Sequence, residues 1–263
     1  MGYRKLSACR RLLAIATLLL SLASLAGCSL PLASESEIDS QGDAEFRKIR
    51  ANTPVSTDAA ERAYVDCVAQ AIIAQLPAPY ADRNWEVEIF DSEQINAFAL
   101  PGGHIGVFTG IFKVAENQDE LATVIGHEVA HVTQEHALKR YNREATARIG
   151  VVGVAIATGT GQAGADLLGM ATSLGMSLPF SRGEESEADT VGLRYRAAGG
   201  FDPRQSVALW QNMQRKDKLG PPEMLSTHPS PEHRIDDLVA QFPEALALYN
   251  KARSAGRSPQ SQR

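Results

Sequence analysis

Apolar residues recur along this chain in two rhythms, and each change of rhythm marks an element. Residues 58–76 follow a helical spacing. Asp58 with Glu61 three positions on reads as a helix start, Ala63, Cys67, Ala71 and Ala74 fall near one face, and Pro77 closes the run. The period then shortens to two. Residues 85–90 alternate polar and apolar as a half-buried strand does, and residues 96–100 and 105–108 flank the turn Pro101-Gly102-Gly103. Together they predict a small, twisted antiparallel sheet. At Asn117 the helical spacing returns, with Glu120 as its capping partner and Leu121, Ile125, Val129 and Val132 as its buried side.

Beyond that helix the pattern loosens. Residues 149–178 are apolar but interrupted by glycines, Thr, Gln and Asp166, too broken for a membrane span. They predict two short helices joined by a turn over 159–162, lying near a cleft or against a membrane. Residues 184–198 read as a helix closed by Gly199-Gly200. Asp202-Pro203 opens another, to about Lys216. Residues 219–229 read as a loop, Ser230-Pro231 opens a helix to about Gln241, and a last helix follows Pro243. The polar stretch 254–263 reads as a disordered tail. At the other end, residues 28–53 are rich in Ser, Glu, Asp and Gln and read as a tether, with a short helix near 44–50. One domain, 54–253, remains between them.

The first 27 residues are a signal rather than part of the fold. Arg4, Lys5, Arg10 and Arg11 form a basic flank, and residues 12–25 are apolar but short for a membrane span. Leu25-Ala26-Gly27-Cys28 resembles the bacterial lipobox. That resemblance implies cleavage before Cys28 and lipidation of Cys28, which makes the membrane a partner through the lipid. Ser29, where Asp would signal retention, implies the periplasmic side of the outer membrane. The whole chain carries a charge of −5, and losing the four signal cations leaves −9, a sign that argues against nucleic acid as a partner. Cys9 leaves with the signal and Cys28 takes lipid, so Cys67 has no internal disulfide partner and reads as a small buried apolar residue.

The candidate chemistry sits in Gly126-His127-Glu128-Val129-Ala130-His131, which has the spacing H-E-x-x-H. Residues four apart share a helix face, so His127 and His131 can offer imidazole nitrogens to one metal ion while Glu128 reaches a water there. A catalytic zinc takes three protein ligands. Gln134 and Ala137 stand where a three-histidine extension needs Gly and His, so the third ligand is expected from a second helix. The dense acidic cluster Glu184-Glu185-Ser186-Glu187-Ala188-Asp189 lies on one. Glu185 and Asp189 share a face, so one can bind metal while the other orients a ligand imidazole. His136 lies about half a turn round an ideal helix from His127 and reads as a supporting or surface residue, not a ligand. Neither Gly-x-Ser-x-Gly nor Gly-Lys-Ser/Thr is present, which leaves serine-hydrolase and P-loop readings without support.

Four segments in order carry a family resemblance: Asn96-Ala97-Phe98-Ala99-Leu100-Pro101-Gly102-Gly103, residues 127–136, Ser181-Arg182 through Glu185-x-x-Ala188-Asp189, and Thr227-His228-Pro229 with Arg234 downstream. They resemble the zinc metallopeptidases of family M48, the family of the HtpX and CAAX prenyl protease types, and are most similar to its periplasmic lipoprotein members. The resemblance implies an α+β fold: a mostly helical zincin (gluzincin-like) domain with a small antiparallel sheet beside the H-E-x-x-H helix. It implies one zinc ion per chain on His127, His131 and Glu185, with Asp189 behind an imidazole. Glu128 is then the catalytic base. His228 faces the active site, as an oxyanion stabiliser or as a fourth, inhibitory ligand, and Arg234 anchors its loop or a carboxylate. An edge strand at Gly103, Ile105 and Val107 is expected to bind substrate. The implied function is that of an envelope endopeptidase acting on unfolded or misassembled envelope proteins, with outer-membrane assembly machinery as a further partner. The alternative is a chaperone-like assembly factor that acts mainly by binding.

Overall fold

The computed structural model describes residues 32–157, 179–217, 223–229 and 233–261. The signal, Cys28, the 159–162 turn and Ser230-Pro231 lie outside them. The described residues fall into two compact units. One comprises Leu32 and residues 141–157, where the Leu32 N–H donates to Asn142 Oδ1 at 2.8 Å. The other comprises residues 33–140 and those from 179 onward, and holds the sheet and the H-E-x-x-H helix.

Helix α1, Glu35–Asn52, replaces most of the expected tether. Ser34 caps it, with Glu37 completing a capping box, and Ile38, Gly42 and Phe46 form its buried side. With only one small apolar side among many polar residues, its pattern reads as a solvated tether. Phe46 packs with Phe90 and Phe108 and stacks on His104 at 4.4 Å. At Gly42 an added Cβ would lie 2.0 Å from the Pro101 carbonyl oxygen, so the helix rests directly on that backbone. Helix α2, Ala59–Ile73, starts at Asp58, which accepts from the Ala60 and Glu61 N–H groups. It buries Tyr64, Val65, Val68, Ala69 and Ile72; of the face Ala63, Cys67, Ala71 and Ala74, the first and last are exposed and Cys67 and Ala71 are only half-buried. The larger apolar groups take the core because each removes more surface from water.

Strands β1, Glu86–Phe90, β2, Ala97–Leu100, and β3, His104–Phe108, form a sheet in the order β1-β3-β2. β2 and β3 are an antiparallel hairpin, with Gly102 and Gly103 in its turn at φ +92°. β1 pairs with β3 in parallel, Val87 opposite Ile105, so the sheet is mixed where a wholly antiparallel one was expected. The chain reverses once between β1 and β2 and again at the hairpin, which brings β3 back beside β1 in β1's own direction. Alternation reveals that strands exist; it does not order them.

Helix α3, Gln118–Thr133, is capped by Asn117, which accepts from the Asp119 and Glu120 N–H groups. Every residue from Glu120 to Thr133 is buried, where the sequence suggested one stripe, because α3 is enclosed by α2, the sheet and later helices. It ends at Gln134, and Glu135 takes φ +54° before α4, His136–Ala157, begins. Helix α5, Arg182–Gly199, crosses α3 and closes on Gly200 at φ +96°. Helix α6 spans Gln205–Asp217, and α7, Glu223–Thr227, lies within the expected loop. Helix α8, Arg234–Ser254, runs through Pro243, where two helices were expected; it is packed on α5 and α6. The tail does not behave as a disordered one as far as Ser261: Gln118 donates to the Pro259 carbonyl at 2.8 Å and accepts from the Ser261 N–H at 2.9 Å.

Candidate metal centre

Two helices meet backbone to backbone to build the site. At the crossing of α3 and α5, a Cβ on Gly192 would lie 2.7 Å from the Gly126 carbonyl. This approach brings His127, next to Gly126, within reach of the first two turns of α5. The start of α5 is fixed by a capping box: Ser181 accepts from the Glu184 N–H, and the Glu184 carboxylate accepts from the Ser181 N–H. Capping therefore occupies Glu184, and Glu185, fully buried, faces α3.

His127 Nε2 and His131 Nε2 lie 3.1 Å apart, and Glu185 places Oε2 3.4 Å from the first and Oε1 3.5 Å from the second. Tetrahedral coordination with bonds of 2.0–2.2 Å sets donors about 3.4 Å apart, so the set fits a metal ion of that kind. His228, at the end of α7, adds a fourth donor: its Nδ1 lies 3.3 Å from His127 Nε2 and 3.0 Å from Glu185 Oε1. Its Nε2 lies 3.6 Å from Glu128 Oε1. Glu128 is buried, and among the described residues this oxygen has no hydrogen bond, while the Ala99 N–H of β2 bonds the carboxylate.

Further groups hold the donors. Asp189 Oδ1 accepts from His127 Nδ1 at 3.0 Å. Arg234 donates to Asp189 Oδ2 and Glu185 Oε2, both at 2.6 Å, and stacks over the Trp210 ring at 3.9 Å. His131 Nδ1 lies 2.8 Å from His136 Nδ1, and its ring stacks on Phe180 at 4.0 Å. In the metal-free site, burial opposes charge on His127, but Asp189 and Glu185 outweigh it and push its pKa up to about 10. Burial, with His127 beside it, drives His131 well below the ordinary histidine value. Burial would raise Glu185, yet bonds from His127 and His228 hold it well below the carboxylate range. Burial pushes Glu128 up, against the pull of His228 and His127. Three buried carboxyl groups, Glu128, Glu185 and Asp189, meet one guanidinium, Arg234, and that excess of acidic groups favours a bound cation.

The structure thus gathers His127, Glu128, His131, Glu185, Asp189, His228 and Arg234 in one place. It does not bring in Gly103, Ile105 and Val107 as an edge. β3 is bonded on both sides, and Ile105 and Val107 are fully buried. Among the described residues no strand pairs with the other edge of β2, whose residues 96–101 line a cleft with Glu128, Phe180 and His228. Sequence reasoning missed Phe180, Trp210 and the Gly126–Gly192 contact. Only the glycines gave a signal, each lying on a site-bearing helix where Ala would be the better helix former.

The model of peptidase family M48 matches residues 59–241. The chain is 31% identical to the beta-barrel assembly-enhancing protease of Yersinia pestis over 231 residues, 84% of this chain and 46% of that protein. It is 30% identical to the protein of the same name from Escherichia coli (strain K12) over 251 residues, 88% and 50% of the two. It is 35% identical to the mitochondrial metalloendopeptidase OMA1 of Schizosaccharomyces pombe over 185 residues, 69% and 53%. The chain spans about half the length of these curated relatives.

Proposed function

The chain belongs to peptidase family M48, and from that premise we propose that it is a zinc-dependent endopeptidase of the bacterial cell envelope. One observation carries the reading: the His127 and His131 Nε2 atoms lie 3.1 Å apart, each within 3.5 Å of a Glu185 oxygen, with a Glu128 oxygen beside them that has no hydrogen bond among the described residues. Zinc held there supplies Lewis-acid activation of a water and of the scissile carbonyl. Glu128 takes the proton of the attacking water and hands it to the leaving amine as the C–N bond breaks. Burial has already lifted its pKa, which suits a base that must also release its proton as an acid. The outer edge of β2 holds the substrate extended by backbone hydrogen bonds, a recognition that reads main chain and so suits unfolded protein. His228 points Nδ1 among the donors, 3.3 Å from His127 Nε2 and 3.0 Å from Glu185 Oε1, so in this conformation it would compete with substrate for a bound ion.

The basic flank, apolar run and Cys28 support lipid anchoring at the outer membrane. Relatives named for beta-barrel assembly support misfolded or misassembled envelope proteins as substrates, and the assembly machinery as a partner. The Glu128→Gln variant tests the chemistry: it should fold and bind zinc yet lose about 100-fold or more in kcat on casein. Cleavage at the wild-type rate would sink the mechanism. In a deletion strain, full rescue by that variant would support the chaperone-like alternative.

A further inference from the structure

The two ligand imidazoles are supported differently. His127 is backed by Asp189, which Arg234 in turn neutralises. Behind His131 lies another imidazole. His136 is fully buried, its Nδ1 is 2.8 Å from His131 Nδ1, and its Nε2 is 3.1 Å from Glu187 Oε2. The Glu187 side chain is about half exposed, so this line of contacts runs from the centre to the surface.

We infer that His136 is a positioning residue for His131, and that Glu187 fixes the tautomer of His136. The inference rests on the proposed metal site. His131 directs Nε2 at the other donors, so its hydrogen sits on Nδ1 and must be donated. The nearest atom, His136 Nδ1, can accept only through its lone pair, which puts the His136 hydrogen on Nε2. That hydrogen points at Glu187 Oε2, a carboxylate that can only accept. The chain therefore has one direction: His131 Nδ1–H to His136 Nδ1, then His136 Nε2–H to Glu187. The other His136 tautomer sets two N–H groups face to face across 2.8 Å and leaves the carboxylate opposite a bare lone pair. The backbone break makes the geometry possible. On an unbroken helix, five residues carry a side chain about 140° round the axis, away from His131. Glu135 at φ +54° ends α3 and returns His136 toward the ligand.

Two substitutions separate this role from packing. His136→Asn keeps an acceptor near the Nδ1 position, whereas His136→Leu keeps bulk and removes the acceptor. Zinc loss from each purified protein to a chromophoric chelator gives the rate, and the visible spectrum of the cobalt-substituted protein reports ligand geometry. The Leu variant should lose zinc about 10- to 100-fold faster than wild type, with a shifted cobalt spectrum, and the Asn variant should recover most of that loss. Glu187→Ala should fall between them. In ¹⁵N NMR of the zinc-loaded wild type, His136 should be protonated on Nε2 and bare on Nδ1. Equal rates for the Asn and Leu variants, or a protonated Nδ1, would overturn the inference. The NMR result decides it even where a variant fails to fold. A wild-type protein that takes up no zinc overturns the metal reading and this inference together; zinc uptake with a protonated Nδ1 on His136 overturns only the latter.

Discussion

Replacing Gly192 with Ala should damage the metal centre from behind, without touching a donor. The added Cβ would lie 2.7 Å from the Gly126 carbonyl carbon and oxygen and 2.8 Å from the His127 nitrogen, all backbone atoms that cannot rotate away. Non-bonded atoms settle near 3.5 Å, so the helices must part by roughly 0.8 Å at the crossing. Passed on to the site, that takes the 3.0 Å His127–Asp189 bond to about 3.8 Å, past hydrogen bonding. It takes the 3.4 Å His127–Glu185 separation to about 4.2 Å, beyond the tetrahedral spacing. Overpacking costs about 1–3 kcal/mol, and the better helix propensity of Ala returns up to about 1 kcal/mol. The metal-free protein should therefore lose about 1–2 kcal/mol, and zinc affinity should fall about 10- to 100-fold. Thermal unfolding of the metal-free form and zinc competition against a chromophoric chelator measure the two effects. Gly183→Ala is the control on the same helix, because its Cβ would meet nothing within 4 Å. Wild-type values for Gly192→Ala in both measurements, or equal damage from Gly183→Ala, would refute a crossing that sets the donor spacing.

Other perturbations separate the remaining parts of the site. Arg234→Leu leaves Glu185 and Asp189 buried without their guanidinium and should cost about 3–5 kcal/mol in denaturant unfolding, with Arg234→Lys intermediate because it lacks the planar fork. In the metal-free protein, His127 has a pKa of about 10 against an ordinary 6.5. Its stabilising contribution is complete below the lower value and is lost as pH rises through the higher one. Zinc must displace that proton, so apparent zinc affinity should climb about tenfold per pH unit between pH 7 and 9, and a flat profile in chelator competition would refute this. His228→Ala should raise the rate of peptide cleavage by removing a donor that would compete with substrate for the ion; a slower enzyme would instead favour an oxyanion role. Gly42→Val should lift α1 off the Pro101 carbonyl, read as faster limited proteolysis within residues 35–52.

The metal site was more legible in the sequence than the fold around it. His127, His131 and Glu128 follow from helical geometry alone, and the acidic pair Glu185 and Asp189 from a second helix with the same spacing. Their assignment to separate tasks came only from resemblance. In the structure the capping box shows a reason for it, since Ser181 engages Glu184 and leaves Glu185 to face α3. The sheet order was not legible because β2 and β3 have similar patterns, and only pairing shows that β3 is enclosed. Helix α1 was legible only as a short helix near 44–50 in a tether; its full extent, Glu35–Asn52, and its docking were not, because the contact with Pro101 is made by the backbone at Gly42, a residue without a side chain. His136 was placed by counting along an ideal helix, and one left-handed residue, Glu135, ends that helix.

These features share a cause. The donor atoms are buried, so each needs a neighbour to satisfy it, and that neighbour must itself be held. His127 is held by Asp189, Asp189 by Arg234, and Arg234 by the Trp210 ring, a line that ends in the core. His131 is held by His136 and Glu187, a line that ends at the surface. The carboxyl surplus means that the metal-free site offsets part of its negative charge by retaining a proton on His127. Metal uptake, the charge on His127 and the spacing of α3 and α5 are therefore coupled, and a substitution at any one of them is expected to be felt at the other two.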